Sequence, residues 1–110
     1  MSFSSLGNVT TDVISPDEYV WIDNLREEGY RVVRTFCVQI TRIGVGNFEA
    51  SFREANIAIS GTDRDDAYQA LVAEILDTFD ILAEERNLIP RAVEQLEILR
   101  KYIVQVQDNA

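Results

Sequence analysis

The chain of 110 residues contains no histidine, one cysteine and a single lysine. Without histidine it lacks the usual proton shuttle of acid–base catalysis and the commonest metal ligand. The lone Cys37 excludes an intramolecular disulfide and a cysteine-based zinc site, and no histidine is present to activate it as a nucleophile. We therefore expect a protein that is not an enzyme and that holds neither a cofactor nor a metal ion.

Long apolar runs are also missing, because no segment approaches the roughly 20 residues of a membrane span. The first eleven residues show neither the basic start nor the apolar stretch of a signal peptide. These absences predict no membrane association and a location in the reducing cytoplasm. A content of 46% hydrophobic and 26% charged residues is typical of a folded domain, and the length allows one core.

Acidic residues dominate the charge, with 19 aspartates and glutamates against 10 basic residues and a net charge of −9. A surface of this sign repels phosphate backbones, so we expect no direct binding to nucleic acid. The same charge favours a basic protein as the partner. A simpler explanation is that the charge only keeps the protein soluble.

The N-terminal third gives two conflicting signals. Residues 1–13 are rich in Ser, Thr, Gly and Asn and predict a flexible tail, followed by a single α+β domain over residues 14–110. Ser15 and Pro16 form a helix-start signal, which predicts a helix over residues 16–28 that ends at Gly29. The competing interpretation is a short strand over residues 19–22, where aromatic and β-branched residues crowd together.

From residue 31 the apolar residues alternate with a period of two, which predicts strands near 31–43, 47–53 and 56–60. A turn is predicted at 44–47, and a break after Glu54, where the alternation changes phase. Thr62 then opens a helix with acids in its first turn and an apolar stripe of Ala67, Leu71, Ile75, Phe79 and Leu82. A last helix near 91–106 buries Leu96, Leu99, Ile103 and Val106.

The predicted fold is therefore α+β, a three-stranded antiparallel sheet packed by helices in the order α-β-β-β-α-α. Four acids in and just after the first long helix, Asp77, Asp80, Glu84 and Glu85, lie largely off its apolar stripe. We interpret them as the contacts for a basic partner. The alternatives are a solvated face, and a carboxylate pair or metal site formed by Asp77, Asp80 and Glu84.

Residues 48–67 combine a strand, a break at 53–56, a short strand and Gly61-Thr62 before an acidic helix start. In this pattern the chain resembles the HicB-like antitoxin domain over residues 31–82. The resemblance implies protein–protein binding in an oligomer. Together with the negative charge, it leads us to expect a stand-alone antitoxin-like module that binds and occludes a basic partner protein. The alternative is a small structural or scaffold protein that self-associates through exposed sheet edges or through its terminal helix, with Trp21 or Tyr102 at the interface. Under both interpretations we expect a homodimer.

Overall fold

The computed structural model describes residues 17–106, so the predicted flexible tail at 1–13 lies outside the described residues. The elements are β1 (Glu18–Ile22), β2 (Tyr30–Val32), β3 (Phe36–Gly44), β4 (Asn47–Phe52), a 3-10 turn (Arg53–Ala55), β5 (Ile57–Gly61), α1 (Arg64–Glu84), α2 (Pro90–Tyr102) and β6 (Ile103–Gln105). The main sheet is antiparallel in the order β1-β3-β4-β5, and β2 pairs with β6 in a separate two-stranded ribbon.

The fold is α+β, but the predicted three-stranded sheet and the order α-β-β-β-α-α are wrong. Residues 17–106 contain a four-stranded sheet, a second two-stranded sheet and two helices. The helix predicted over 16–28 is replaced by a strand at its start, the first predicted strand is divided in two, and the last predicted helix ends early. Each difference arises where a segment pairs with a strand distant in sequence.

Strand β1 occupies the place of the predicted first helix. Its residues pair antiparallel with β3 from Glu18 opposite Ile40 to Ile22 opposite Phe36. The pairing buries Ile22 completely and leaves Tyr19 and Trp21 on the other face, which is the alternation that a strand requires. A helix over this aromatic and β-branched run would have no single apolar face to bury. The competing strand interpretation is therefore correct.

The predicted strand over 31–43 is divided by a bend at Val33 and Arg34, so that β2 and β3 belong to different sheets. The Val33 backbone N–H donates to the Tyr102 carbonyl at 2.7 Å, where α2 ends. After Tyr102 the chain continues directly as β6, in which Ile103 pairs with Val32 of β2. The β-branched pair at 103–104 favours a strand once β2 offers a partner, which is why the predicted helix does not reach residue 106.

The two predicted connections of the sheet are confirmed. Val45 and Gly46 form the turn between β3 and β4, and Gly46 takes the positive φ of 65° that glycine accepts most readily. The 3-10 turn with Asn56 in the left-handed region joins β4 to β5, and Phe52 pairs with Ile57 across it. This turn is the break that the phase change after Glu54 predicts.

Helix α1 packs its predicted apolar stripe against the sheet, where Ala67, Leu71, Ile75 and Phe79 are buried. Asp63 caps the helix by accepting from the Asp66 backbone N–H at 2.8 Å, and Asp66 accepts from the Thr62 N–H at 2.9 Å. The first bond satisfies an amide that the helix start leaves free, and the second fixes the backbone just before the helix. Strand β5 approaches the helix closely, since a Cβ added at Gly61 would lie 2.4 Å from the Ala67 nitrogen.

Both long helices contribute to one core, which lies on the inner face of the main sheet. Its buried members are Ile22, Leu25, Phe36, Val38, Ile40, Ala50, Phe52, Ala55, Ile57, Ala67, Leu71, Val72, Ile75, Leu76, Phe79, Leu96, Leu99 and Ile103. Val106, predicted to be buried, is 48% exposed because it follows the end of β6. The opposite face of the sheet is left uncovered within the described part of the chain.

Candidate functional site

Helix α1 concentrates negative charge on the side that faces away from the sheet. It contains one basic residue, Arg64, and the six acids Asp65, Asp66, Glu74, Asp77, Asp80 and Glu84. Arg64 forms an ion pair with Glu18 of β1, and this hydrogen bond lowers the pKa of the Glu18 carboxyl. Beyond its first turn the helix therefore contributes no positive charge.

The acids at the two ends of α1 have opposite effects on its stability. Asp65 and Asp66 lie in the first turn, where the helix dipole favours negative charge. Glu84 and the capping residue Glu85 lie at the other end, where the last turn contains no basic residue. A carboxylate there is unfavourable by about 0.3–1 kcal/mol. Helix stability therefore does not explain why acids occupy this end.

Asp80 differs from the other predicted contacts because it bonds within the molecule. The Tyr30 hydroxyl donates to its two carboxylate oxygens at 2.6 and 2.5 Å, and the Gln105 side-chain amide donates to Oδ1 at 2.9 Å. The hydrogen bond to Asp80, together with burial, raises the pKa of Tyr30 to about 12. Asp80 thus fastens the β2–β6 ribbon to α1, and it is half-buried rather than free.

A groove of about 260 Å³ runs between α1 and the loop before β2. Val72 and Leu76 form an apolar floor, and the acids Glu27, Asp77 and Asp80 lie along its rim. Such a groove suits a lysine or arginine, whose aliphatic stem covers the floor while its charged end reaches the carboxylates. The structure therefore brings Asp77 and Asp80 together and adds Glu27, which local sequence signals do not reveal because it lies in an irregular loop.

Glu84 and Glu85 lie beyond this groove, at the end of α1, and both are exposed. The four predicted residues therefore form two parts of one side, with a groove at Asp77 and Asp80 and an exposed acidic end. We call this side, with Glu27 and Glu74 included, the acidic side.

The metal site considered for Asp77, Asp80 and Glu84 lacks a suitable cluster of ligands in the described residues. Between residues 17 and 106 no three acids or cysteines are placed to share a metal ion. Cys37 is half-buried on β3, and neither helix of the described part is long and apolar enough to cross a membrane.

Comparison of this chain with protein-family models, with curated proteins and with solved structures finds no match.

Proposed function

We propose that this chain is an acidic protein-binding module that covers a basic surface of a partner protein, in the manner of a stand-alone HicB-like antitoxin. The observation that carries the proposal is the acidic side of α1, where carboxylates border an apolar-floored groove and continue past it. The order β3, β4, β5 and α1 is the order on which the resemblance rests. The proposed role is binding without catalysis, in the cytoplasm.

The placement of the acids supports binding better than it supports solubility alone. Carboxylates scattered over the surface would keep the protein soluble without any cost to α1. Glu84 and Glu85 instead stand at the negative end of the helix dipole. Residues that are kept at a cost in stability are typical of functional surfaces. Charge of one sign on one side also steers an oppositely charged partner toward that side.

The proposed chemistry is the insertion of one or more lysine or arginine side chains into the groove. Asp77 and Glu27 face the inserted cation from the two walls. Asp80 contributes charge while it holds Tyr30. If the partner handles RNA, covering its basic surface excludes the RNA by direct competition.

The test compares two variants of equal charge as bait in a native lysate. In the first, Glu27→Gln, Asp77→Asn and Glu84→Gln remove acids from the acidic side. In the second, Glu49→Gln, Glu94→Gln and Glu97→Gln remove three exposed acids from β4 and α2. Both variants lose three negative charges, so net charge cannot explain a difference between them. Asp80 is left unchanged because its replacement would also release the ribbon.

We expect the wild-type chain to retain a basic protein that moderate salt releases, because salt screens exposed charges. The first variant should bind that protein roughly 3- to 150-fold more weakly if each lost pair contributes in the range of exposed ion pairs. The second should bind like the wild type. Equal loss in both variants, or retention of no basic protein, would contradict the proposal.

A further inference from the structure

The outer face of the main sheet, formed by the side chains that point away from the core, presents two exposed aromatic residues side by side. Tyr19 is 62% exposed and Trp21 is 68% exposed, and both project from β1, at the edge of the sheet. Large aromatic side chains of this kind are enriched at protein interfaces, where they supply much of the binding energy. Two neighbours on one face therefore indicate a contact surface.

A hollow of about 330 Å³ lies next to these aromatic side chains on the same face. Tyr19 and Trp21 form one wall, Arg53 stands opposite, and the small side chains of Cys37 and Ser51 contribute to the floor. The outer face therefore carries a protrusion and a recess beside each other. A surface with both is complementary to itself, which is the requirement for a two-fold interface between identical chains.

The polar groups in the middle of the outer face are already satisfied. Gln39 is only 8% exposed; its side-chain amide donates to Asp17, and its carbonyl oxygen accepts from Arg53 at 3.2 Å. Thr41 also donates to Asp17, at 2.8 Å. Covering this face would leave Gln39 and Thr41 with their hydrogen-bond partners, which limits the desolvation penalty at its centre.

The outer face and the acidic side differ in charge. Asp17 and Glu49 are offset in part by Arg53, so the outer face is close to neutral. The acids of α1 lie on the far side of the helix, with the sheet between them and the outer face. Two copies that meet through their outer faces therefore keep their acidic helices apart, which limits the repulsion between chains of net charge −9.

We propose that the outer face binds a second copy of this chain, with Tyr19 and Trp21 of each copy seated in the hollow of the other. Four aromatic side chains at about two-thirds exposure would bury on the order of 400–650 Å². That is about a third of a standard interface of roughly 1,600 Å², and the surrounding strand residues of both copies supply the rest. The inference uses the face opposite to the acidic side and does not depend on the proposed function.

Sedimentation of the full chain over a range of concentrations tests this inference. We expect a shift from monomer to dimer below about 100 μM, within the range of weak to moderate interfaces of this size. Added salt should not dissociate the dimer, in contrast to the basic partner. The variant Tyr19→Ser with Trp21→Ser should sediment as a monomer, whereas the control Ile81→Ser, at a 61% exposed residue of α1, should still form the dimer.

A second measurement needs no variant. Trp21 is the only tryptophan, so its fluorescence reports on the outer face alone. Dimer formation should shift its emission to shorter wavelength and reduce quenching by acrylamide as the concentration rises. A wild-type chain that stays monomeric with unchanged Trp21 emission would overturn the inference. A folded double variant that still forms the dimer would equally overturn it, because the contact would then lie elsewhere.

Discussion

At the scale of single residues, the contact of Tyr30 with Asp80 joins elements that are far apart in sequence. The hydroxyl and the carboxylate belong to residues fifty positions apart, and their bonds of 2.5 and 2.6 Å connect β2 to α1. Gln105 of β6 joins the same carboxylate. A residue predicted as a free binding contact therefore also positions the ribbon that frames the groove.

The variant Tyr30→Phe removes this bond and leaves the ring in place. We expect it to lower the free energy of unfolding by about 1 kcal/mol at neutral pH, because the bond is partly exposed to solvent. The folded chain holds the Tyr30 proton more tightly than the unfolded chain, so the stabilisation is complete below the ordinary pKa of 10.0 and is lost as the pH rises toward about 12. Urea unfolding at pH 8 and pH 11 should therefore show a difference between the two proteins that shrinks at the higher pH.

A substitution at Gly61 tests whether β5 approaches α1 as closely as the structure shows. The variant Gly61→Ala places a Cβ 2.4 Å from the Ala67 backbone nitrogen, and the backbone has to shift to accept it. We expect a loss of about 1–3 kcal/mol, the usual cost of overpacking. The control Gly44→Ala meets only the Asn47 Cβ at 3.7 Å, so its unfolding midpoint in urea should stay close to that of the wild type. Equal midpoints for both variants would contradict the close approach.

At the scale of elements, local signals predict α1 and fail at the two ends of the described chain. Acids at its start and the apolar stripe both lie within the helix sequence, so they identify it without knowledge of its neighbours. Strand β1 and strand β6 depend on pairing with β3 and β2, which lie elsewhere in the sequence. The helix-start signal at Ser15 and Pro16 therefore misleads, because it competes with a tertiary contact that the sequence does not display.

The same distinction applies to the candidate site. Spacing along α1 is enough to find Asp77, Asp80 and Glu84, since residues three and four apart share a side of a helix. It cannot show that Tyr30 engages Asp80 or that Glu27 lines the same groove as Asp77, because both depend on the path of the chain before and along β2. The exposure of Trp21 likewise follows from the position of β1 at the edge of the sheet, with no helix between residues 17 and 106 packed on its outer face.

Because α2 ends at Tyr102 and the chain continues as β6, substitutions of Ile103 and Val106 should lower the free energy of unfolding by different amounts. Ile103 is fully buried in β6, whereas Val106 is 48% exposed. We expect Ile103→Ala to lower the free energy of unfolding by about 2–5 kcal/mol through the cavity that it leaves. Val106→Ala should change it by less than about 0.5 kcal/mol, as surface substitutions usually do. Comparable losses in urea unfolding would indicate that the helix continues to residue 106.

The C-terminal acids of α1 predict a conflict between stability and binding. Replacing Glu84 and Glu85 by glutamine removes negative charge from the negative end of the helix dipole. Each change should raise the free energy of unfolding by about 0.3–1 kcal/mol at low ionic strength. The same variant should bind the basic partner more weakly. A variant that gains stability and binds as well as the wild type would show that these acids are not contacts.

At the scale of the whole molecule, the two faces have different chemistry. In our proposals the acidic side of α1 binds a basic partner through a contact that salt weakens. The outer face of the sheet, which is aromatic and nearly neutral, is proposed to bind a second copy of the chain. Because the two surfaces lie on opposite sides of the core, both contacts can form at once. A dimer would then display two acidic sides, and a partner with two basic surfaces would bind it more tightly than a monomer.

Hydrogen exchange of the chain in complex with its captured basic partner tests the central claim most directly. We predict that binding slows amide exchange along α1 from residue 72 to 85, which spans the groove and the acidic end of the helix. We also predict slower exchange in the loop from 23 to 30, which contributes Glu27 to the groove. The strands that form the outer face should show no further protection. Protection confined to β1, β3 or α2, with residues 72–85 unchanged, would contradict the assignment of the acidic side as the binding surface.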